Sequence, residues 1–170
     1  MSRALLIVRM ASLLVVSAAT AYALDWWVLV PLRCSHAASV GAAEIDEAGD
    51  AADYATQRVV RRVGAKLQGC DCVTPPDARI FFVRGAAAQG GGDLQTAIAD
   101  YRRALEIDRR PEIYLHLGLV QLDASDRAAA IENLVRACAF DPSRLGAVDD
   151  NLRQEIKQRL RARYGEEWVR

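Results

Sequence analysis

The side chains best suited to thiol, metal or general-base chemistry are four cysteines and two histidines. Cys34 and His36 follow a long apolar stretch, and Cys70 and Cys72 flank one aspartate in the irregular run Cys70-Asp-Cys72-Val-Thr-Pro75-Pro76-Asp77. Cys34, His36, Cys70 and Cys72 could in principle form a metal or redox centre, but one-residue spacings are unlike standard zinc pairs. A Cys70–Cys72 ring would be strained, so the first expectation in an oxidising compartment is a disulfide from Cys34 to Cys70 or Cys72, with free thiols the alternative. Cys138 falls on an apolar helix face and reads as a small buried group. His116, between Leu115 and Leu117, reads as a packed or surface histidine. There is no nucleophile–base set, no H-E-x-x-H, no paired carboxylates in a recognisable frame and no C-x-x-C-H. Gly90-Gly91-Gly92 is not followed by Gly-Lys-Ser/Thr and reads as a turn. The sequence therefore points to a non-enzymatic protein with no catalytic residue, no metal site and no cofactor.

The positions of these residues depend on the elements around them. Met10 to Leu32 is apolar except for Asp25, preceded by Arg3 and Arg9 and closed by Arg33. At 1.5 Å per residue it spans about 34 Å, enough for a hydrocarbon core of about 30 Å. Trp26 and Trp27 suit the outer interface, and the basic residues before the span favour a cytoplasmic N-terminus. The rival is a cleaved signal peptide with Ala21-Tyr22-Ala23 as its processing site. Both place the remainder outside the cytoplasm. Zero net charge implies no general attraction to nucleic acid. All but two of the 22 basic residues are arginine, the exceptions being Lys66 and Lys157, which suggests a GC-rich bacterial genome.

Residues 34–76 read as a helical linker region with the cysteine pair. One alanine-rich helix is expected from Ala42 to Leu67, with Ile45, Ala48, Ala52, Ala55, Val59 and Val63 on one face. Its acidic first half (Glu44, Asp46, Glu47, Asp50, Asp53) and basic second half (Arg58, Arg61, Arg62, Lys66) suit a helix macrodipole. Asp77 is the expected N-cap of the next helix. Further helices are expected near Ala78–Gln89, Asp93–Ile107, Pro111–Leu122, Asp126–Ala139 and Leu145–Arg163, the last stopped by Gly165.

Within 77–142 a pattern occurs twice. The run from Asp93 to Asp108 aligns without gaps on Asp126 to Asp141, with Asp, Ala, Ile, Arg, Ala and Asp identical at an offset of 33. Phe81 and Gly85 align in the same way with Tyr114 and Gly118. A period near 33–34 residues is that of a helix–turn–helix unit. Small residues at Gly85 with Ala97, and at Gly118 with Ala130, would let paired helices approach. Tyr101 and Leu134 would interdigitate, while Ala104 and Ala137 receive the next unit.

On these residues the chain resembles the tetratricopeptide repeat (TPR) family, of a membrane-anchored bacterial type. The second copy fits through Tyr114, Leu117, Gly118, Ala130, Leu134, Ala137 and Pro142, with Gln121 departing from the usual Tyr. The first fits through Phe81, Gly85, Ala97, Tyr101 and Ala104, with Arg84 replacing Leu and Arg109 replacing Pro. The fold expected is all-α: a transmembrane helix at 1–33, the linker region, two TPR-like hairpins, and a C-terminal capping helix and tail at 143–170.

Leu115, Leu119 and Leu122 form a second apolar stripe on what the resemblance identifies as the concave face, with Phe82, Arg153 and Ile156 beside it. It is either a groove for a partner's helix or extended peptide, or a surface covered by the 42–67 helix or the tail. The resulting expectation is a single-pass, inner-membrane TPR scaffold, its repeats periplasmic, mediating protein–protein contacts in an envelope assembly. The alternatives are a periplasmic metal- or redox-handling protein and an accessory subunit of a larger membrane complex.

Overall fold

A computed structural model describes residues 3–48, 54–73 and 75–166, and every regular element among them is helical. Eight α-helices follow in order: α1 Arg3–Leu24, α2 Val30–Ala48, α3 Tyr54–Lys66, α4 Ala78–Gly90, α5 Leu94–Ile107, α6 Pro111–Asp123, α7 Arg127–Phe140 and α8 Asp150–Tyr164. The expected all-α fold and its paired helices are present.

Among the described residues one helix, Leu14–Ile45 with mean hydropathy 1.4, is long and apolar enough to cross a membrane, a test that a signal sequence also passes. From Leu14 to Leu29 its side chains are exposed. The helix does not end at Arg33. A wider i→i+5 turn at Asp25–Leu29 joins α1 directly to α2, and such single π turns interrupt a helix without breaking it. Asp25 lies at this turn and pairs with Arg33 at 3.6 Å.

The expected single helix from Ala42 to Leu67 is instead two. α2 reaches Ala48, α3 starts at Tyr54, and the two pack side by side; Asp50, Ala52 and Asp53 lie outside the described residues. The opposite charges of the two halves make a contact across this hairpin, where Lys66 donates to Glu44 at 3.0 Å. The fold-back also brings the start of α2 to the end of α3, where Cys34 and Cys70 form a disulfide with Cα atoms 5.8 Å apart.

The same packing device then occurs three times. A Cβ added at Gly41 would lie 2.7 Å from Val63, at Gly85 2.9 Å from Tyr101, and at Gly118 2.6 Å from Leu134. In each case a glycine on the first helix admits a large side chain from the second. The α2/α3 hairpin is thus a third unit packed by the same logic, and three units are about what such an array needs to bury a continuous core. Its core of Cys34, Ala38, Val60, Val63, Leu67 and Cys70 extends onto Ile80, Val83 and Ala87 of α4. The next layer joins α4, α5 and α6 through Phe81, Tyr101, Ala104, Ile113 and Leu117. The last joins α6, α7 and α8.

The repeats also share their turns. Asp93 and Asp126 cap α5 and α7 by accepting from the N–H groups of Thr96 and Ala129, and Asp77 caps α4 through Arg79. Gly92 and Ser125, at the same place in the two copies, both have positive φ, 81° and 63°. The last helix begins later than expected, because Pro142–Ala147 forms a 3-10 segment before α8.

The third-unit assignment has a simple test. Gly41→Ala should destabilise by about 1–3 kcal/mol through overpacking. Gly64→Ala, whose Cβ would meet only Ala87 at 3.9 Å, should stabilise α3 by roughly 0.5–1 kcal/mol. Denaturant titration of the two variants reads the difference. If both shift alike, Gly41 is not a contact point.

Candidate protein-binding site

The expected groove residues divide between two places. Leu115 and Ile156 are 6% and 0% exposed and belong to one core with Leu134, Val135, Leu152 and Leu160. Leu119 and Leu122 are partly buried against that core. α8 presents Leu152, Ile156 and Leu160 on successive turns, packs on α7, and through these residues shares one core with Leu115 of α6. Arg153 donates to the carbonyls of Leu145 and Val148 at 2.9 and 2.8 Å and pairs with Asp150, so it fastens the 3-10 segment to α8. Of the stripe expected to hold a partner, Leu115 is therefore core, while Leu119 and Leu122 keep part of their surface exposed.

Phe82 lies elsewhere, on the wall of a cavity of about 660 Å³. The start of α2 contributes Pro31, Leu32 and Ser35, the link Val73, Pro75 and Pro76, and the start of α4 Ala78, Arg79 and Phe82. Ile107 and Asp108 close it from the end of α5, with Arg110, Glu112 and Ile113 from the start of α6. That volume lies in the usual range of ligand sites, about 300–1,000 Å³.

The rim is polar and largely self-paired. Arg79 binds Asp77 at 2.7 Å and reaches across to Ser35 Oγ at 3.1 Å, tying α4 to α2. The Arg79 guanidinium holds the Asp77 carboxyl below its usual range against the opposing effect of burial. Arg110 pairs with Asp108 at 2.5 Å. Glu112 is different: Oε1 is 3.4 Å from Arg144, and Oε2 is buried without a hydrogen-bond partner. Behind the wall, Phe82 makes an edge contact with His116 at 5.1 Å and a tilted one with Tyr101 at 5.7 Å. Burial, helped by Arg144 and opposed by Glu112, lowers the His116 pKa. Burial raises that of Tyr101, whose hydroxyl donates to Gln89 at 3.0 Å.

The departures from the repeat pattern have local explanations. Arg84, where the family has Leu, donates to both carboxylate oxygens of buried Asp100, at 2.7 and 2.5 Å, and also binds Asp71. In the second copy the same two positions hold Leu117 and Asn133. The Gln121 and Asn133 amides, in turn, hydrogen-bond at 2.8 Å. The repeat-packing residues Ala97, Tyr101, Ala104, Ala130, Leu134 and Ala137 are all fully buried, with Phe81, Tyr114 and Leu117 nearly so. Gly85 and Gly118 are buried too, whereas Pro142 is exposed at the start of the 3-10 segment.

The bridge takes Cys70 of the two candidates, and the Cys72 side chain lies outside the described residues. Among the described residues no three His, Cys, Asp or Glu side chains converge on a metal-sized site. Cys138 is fully buried, and burial pushes its thiol up to about 11.

Sequence reasoning found Phe82 but missed the other cavity residues. The signals were faint: Ile107 and Ile113 flank the loop between repeats, and Pro75-Pro76 read only as a helix break. What they enclose depends on α2 folding back against α4, which no local pattern announces.

Stacked helical hairpins with glycine-mediated contacts, and a cavity where the first of them meets α4 to α6, define a helical repeat array. Residues 78–111, which are α4, α5 and the step into α6, match the tetratricopeptide repeat family model. This repeat class is typically non-catalytic, and its presence implies protein partners in general terms. No curated protein and no solved structure matches the chain.

Proposed function

We propose that this chain is a membrane-tethered, extracytoplasmic scaffold that binds a protein partner in a bacterial envelope assembly, with its N-terminus cytoplasmic and its repeats in the periplasm. The observation that carries the proposal is the cavity, which the repeat and the continuation of the apolar helix build together. The Cys34–Cys70 bridge supports an oxidising location. The same bridge commits two of the four groups that a Cys34/His36/Cys70/Cys72 redox or metal centre would use.

Topology is tested by fusing a reporter enzyme active only outside the cytoplasm after Arg170. Activity together with resistance to carbonate extraction is expected; mature protein beginning at Leu24 would remove the anchor. Binding is tested with Ile107→Glu. Ile107 is 37% exposed and lines the cavity, so the charge should cost little stability, within about 0.5 kcal/mol. It should abolish recovery of the partner that the native protein brings down from membranes. Undiminished recovery would move the binding surface away from the cavity.

A further inference from the structure

The hairpins join the apolar helix without a flexible link. α1 runs into α2 through the wider turn at Asp25–Leu29, which interrupts a helix without breaking it. α2 is itself the first helix of the array, packed on α3 and α4 and bridged from Cys34 to Cys70. The direction of the apolar helix therefore sets that of the array. Consecutive helices form hairpins and run antiparallel, so their ends gather at two sides, one of them where α2 begins.

Contacts show which ends share that side. Arg79, at the start of α4, reaches Ser35 at 3.1 Å. Ile107 at the end of α5 and Glu112 at the start of α6 line the same cavity as Leu32. Glu112 pairs with Arg144, just beyond α7, at 3.4 Å. Phe140, the last residue of α7, stacks on Tyr114 with ring centroids 6.1 Å apart. The turns at residues 90–93 and 124–126 lie on the opposite side.

Exposed apolar groups are distributed unevenly between the two. Beyond α1 and α2 the described residues expose three large apolar side chains, Ile107, Phe140 and Tyr164. Tyr164 ends α8. Ile107 and Phe140 close successive hairpins on the side where α2 begins, at the same place in the two repeats. Leu32, 61% exposed, carries the apolar surface of the helix to that side and shares the cavity with Ile107. The charges around them are self-paired, Arg79 with Asp77, Arg110 with Asp108 and Arg144 with Asp141, so a charged partner finds little to attract it. Height agrees with this. At 1.5 Å per residue, Leu32 lies about 7–8 Å along the axis beyond Trp27, and tryptophans settle among the headgroups. That layer is about 5–7 Å deep, so the array begins at its outer edge.

We propose that, with the apolar helix inserted, this side of the array rests on the bilayer, Phe140 and Ile107 entering the boundary between headgroups and acyl chains. The hairpins then lie along the membrane surface instead of standing off it. The proposal rests on the tethered reading and adds a lipid contact to it.

The test uses the full chain in phosphatidylcholine vesicles, with an environment-sensitive fluorescent residue in place of Phe140. The control places it at Gln95, exposed on the opposite side. Bromine near the headgroup end of the acyl chains should quench the probe at 140 about twofold, because interfacial side chains enter that layer by about 5–10 Å. Its emission should also move to the blue, with the probe at 95 unchanged. Should the replacement disturb the stack on Tyr114 and lower the melting temperature, a probe in place of Ile107 should respond in the same way. Equal and weak quenching at 140, 107 and 95, in vesicles that keep the protein through carbonate washing, would overturn the proposal and leave the tethered reading standing. Release of the protein by the wash would overturn both. A blue shift without quenching would mean that a second copy, not lipid, covers Phe140. Quenching that appears only with added phosphatidylglycerol would mean that charge draws the array down. Either result would overturn the apolar lipid contact.

Discussion

Leu115→Glu combined with Leu119→Glu should unfold the C-terminal half of the array rather than merely remove a binding surface. Leu115 is 6% exposed and shares a core with Leu134, Leu152, Ile156 and Leu160, and Leu119 packs against it. Placing a carboxylate there costs several kcal/mol unless it is protonated. A domain of this size holds only about 5–15 kcal/mol in total, so two such groups consume most or all of it. The pH dependence follows from the same argument. Burial raises the folded-state pKa of each new glutamate above the unfolded value of about 4.3. The unfolded state then loses its protons first, and the variant's stability relative to native is greatest below that value and falls as pH rises through it. Circular-dichroism melts at pH 7.5 should show early unfolding, and acidification towards pH 4 should narrow the gap to the native protein. Arg127→Ala, which removes only an exposed ion pair to Glu155, should stay within about 1 kcal/mol at either pH. A native-like melting temperature for the double variant would mean that Leu115 and Leu119 are not part of this core.

The two repeats were legible in the sequence because their contacts are local. A glycine and its partner lie 16 residues apart in both copies, Gly85 with Tyr101 and Gly118 with Leu134, and the capping aspartates repeat at the same offset. The third hairpin was not. Its glycine, Gly41, and its partner, Val63, are 22 residues apart, so they fall outside the period. The alanine-rich sequence between them carries no proline, and the apolar face that runs on from Ile45 to Val63 outweighs the stop signal of Gly49 after Ala48 and the capping signal of Asp53 before Tyr54. The charge pattern misled for a related reason. Acidic residues before basic ones suit a single helix dipole and an antiparallel ion pair equally well, and only the Glu44–Lys66 contact shows the second at work.

The closing stripe was visible as a choice between partner and tail, and periodicity cannot decide it. α8 has Leu152, Ile156 and Leu160 at four-residue steps, which is what any amphipathic helix presents to any apolar groove. The cavity was less legible still. Its walls come from residues 31–35, 73–82 and 107–113, three segments that meet only once the first hairpin has folded back. Arg84 lies between these extremes. It departs from the repeat pattern, and Asp100, one helix on, supplies the paired charge that lets an arginine stand at an otherwise apolar position.

Removing the Cys34–Cys70 bridge should loosen the first hairpin while the two following hairpins keep their packing. The bridge joins residues 36 apart, and closing a loop of that length limits the unfolded chain by about 4 kcal/mol in the chain-entropy account. The hairpin has little to replace it. Its core is small, centred on Ala38, Val60, Val63 and Leu67 with the two cysteines themselves, and the Glu44–Lys66 ion pair is too exposed to hold it alone. The core around Tyr101 shares only the partly buried Phe82 with it, and the core around Leu134 shares no residue. Cys34→Ala with Cys70→Ala should therefore lower the melting temperature by roughly 8–16 °C, taking about 2–4 °C per kcal/mol for a chain of this size. Hydrogen exchange should show where the loss falls, with protection dropping in α2 and α3 and persisting in α5, α6 and α7. Dithiothreitol added to the native protein should reproduce the shift, since Cys138, fully buried and with a raised thiol pKa, takes no part in exchange. The same variant bears on the cavity, because α2 supplies the wall of Pro31, Leu32 and Ser35. If α2 swings away from α4 when the bridge is absent, the partner should be lost together with the first hairpin, at a temperature where the repeats remain folded. A melting temperature unchanged by both the variant and the reductant would show that the hairpin holds by packing alone, and that the bridge contributes nothing to shaping the site.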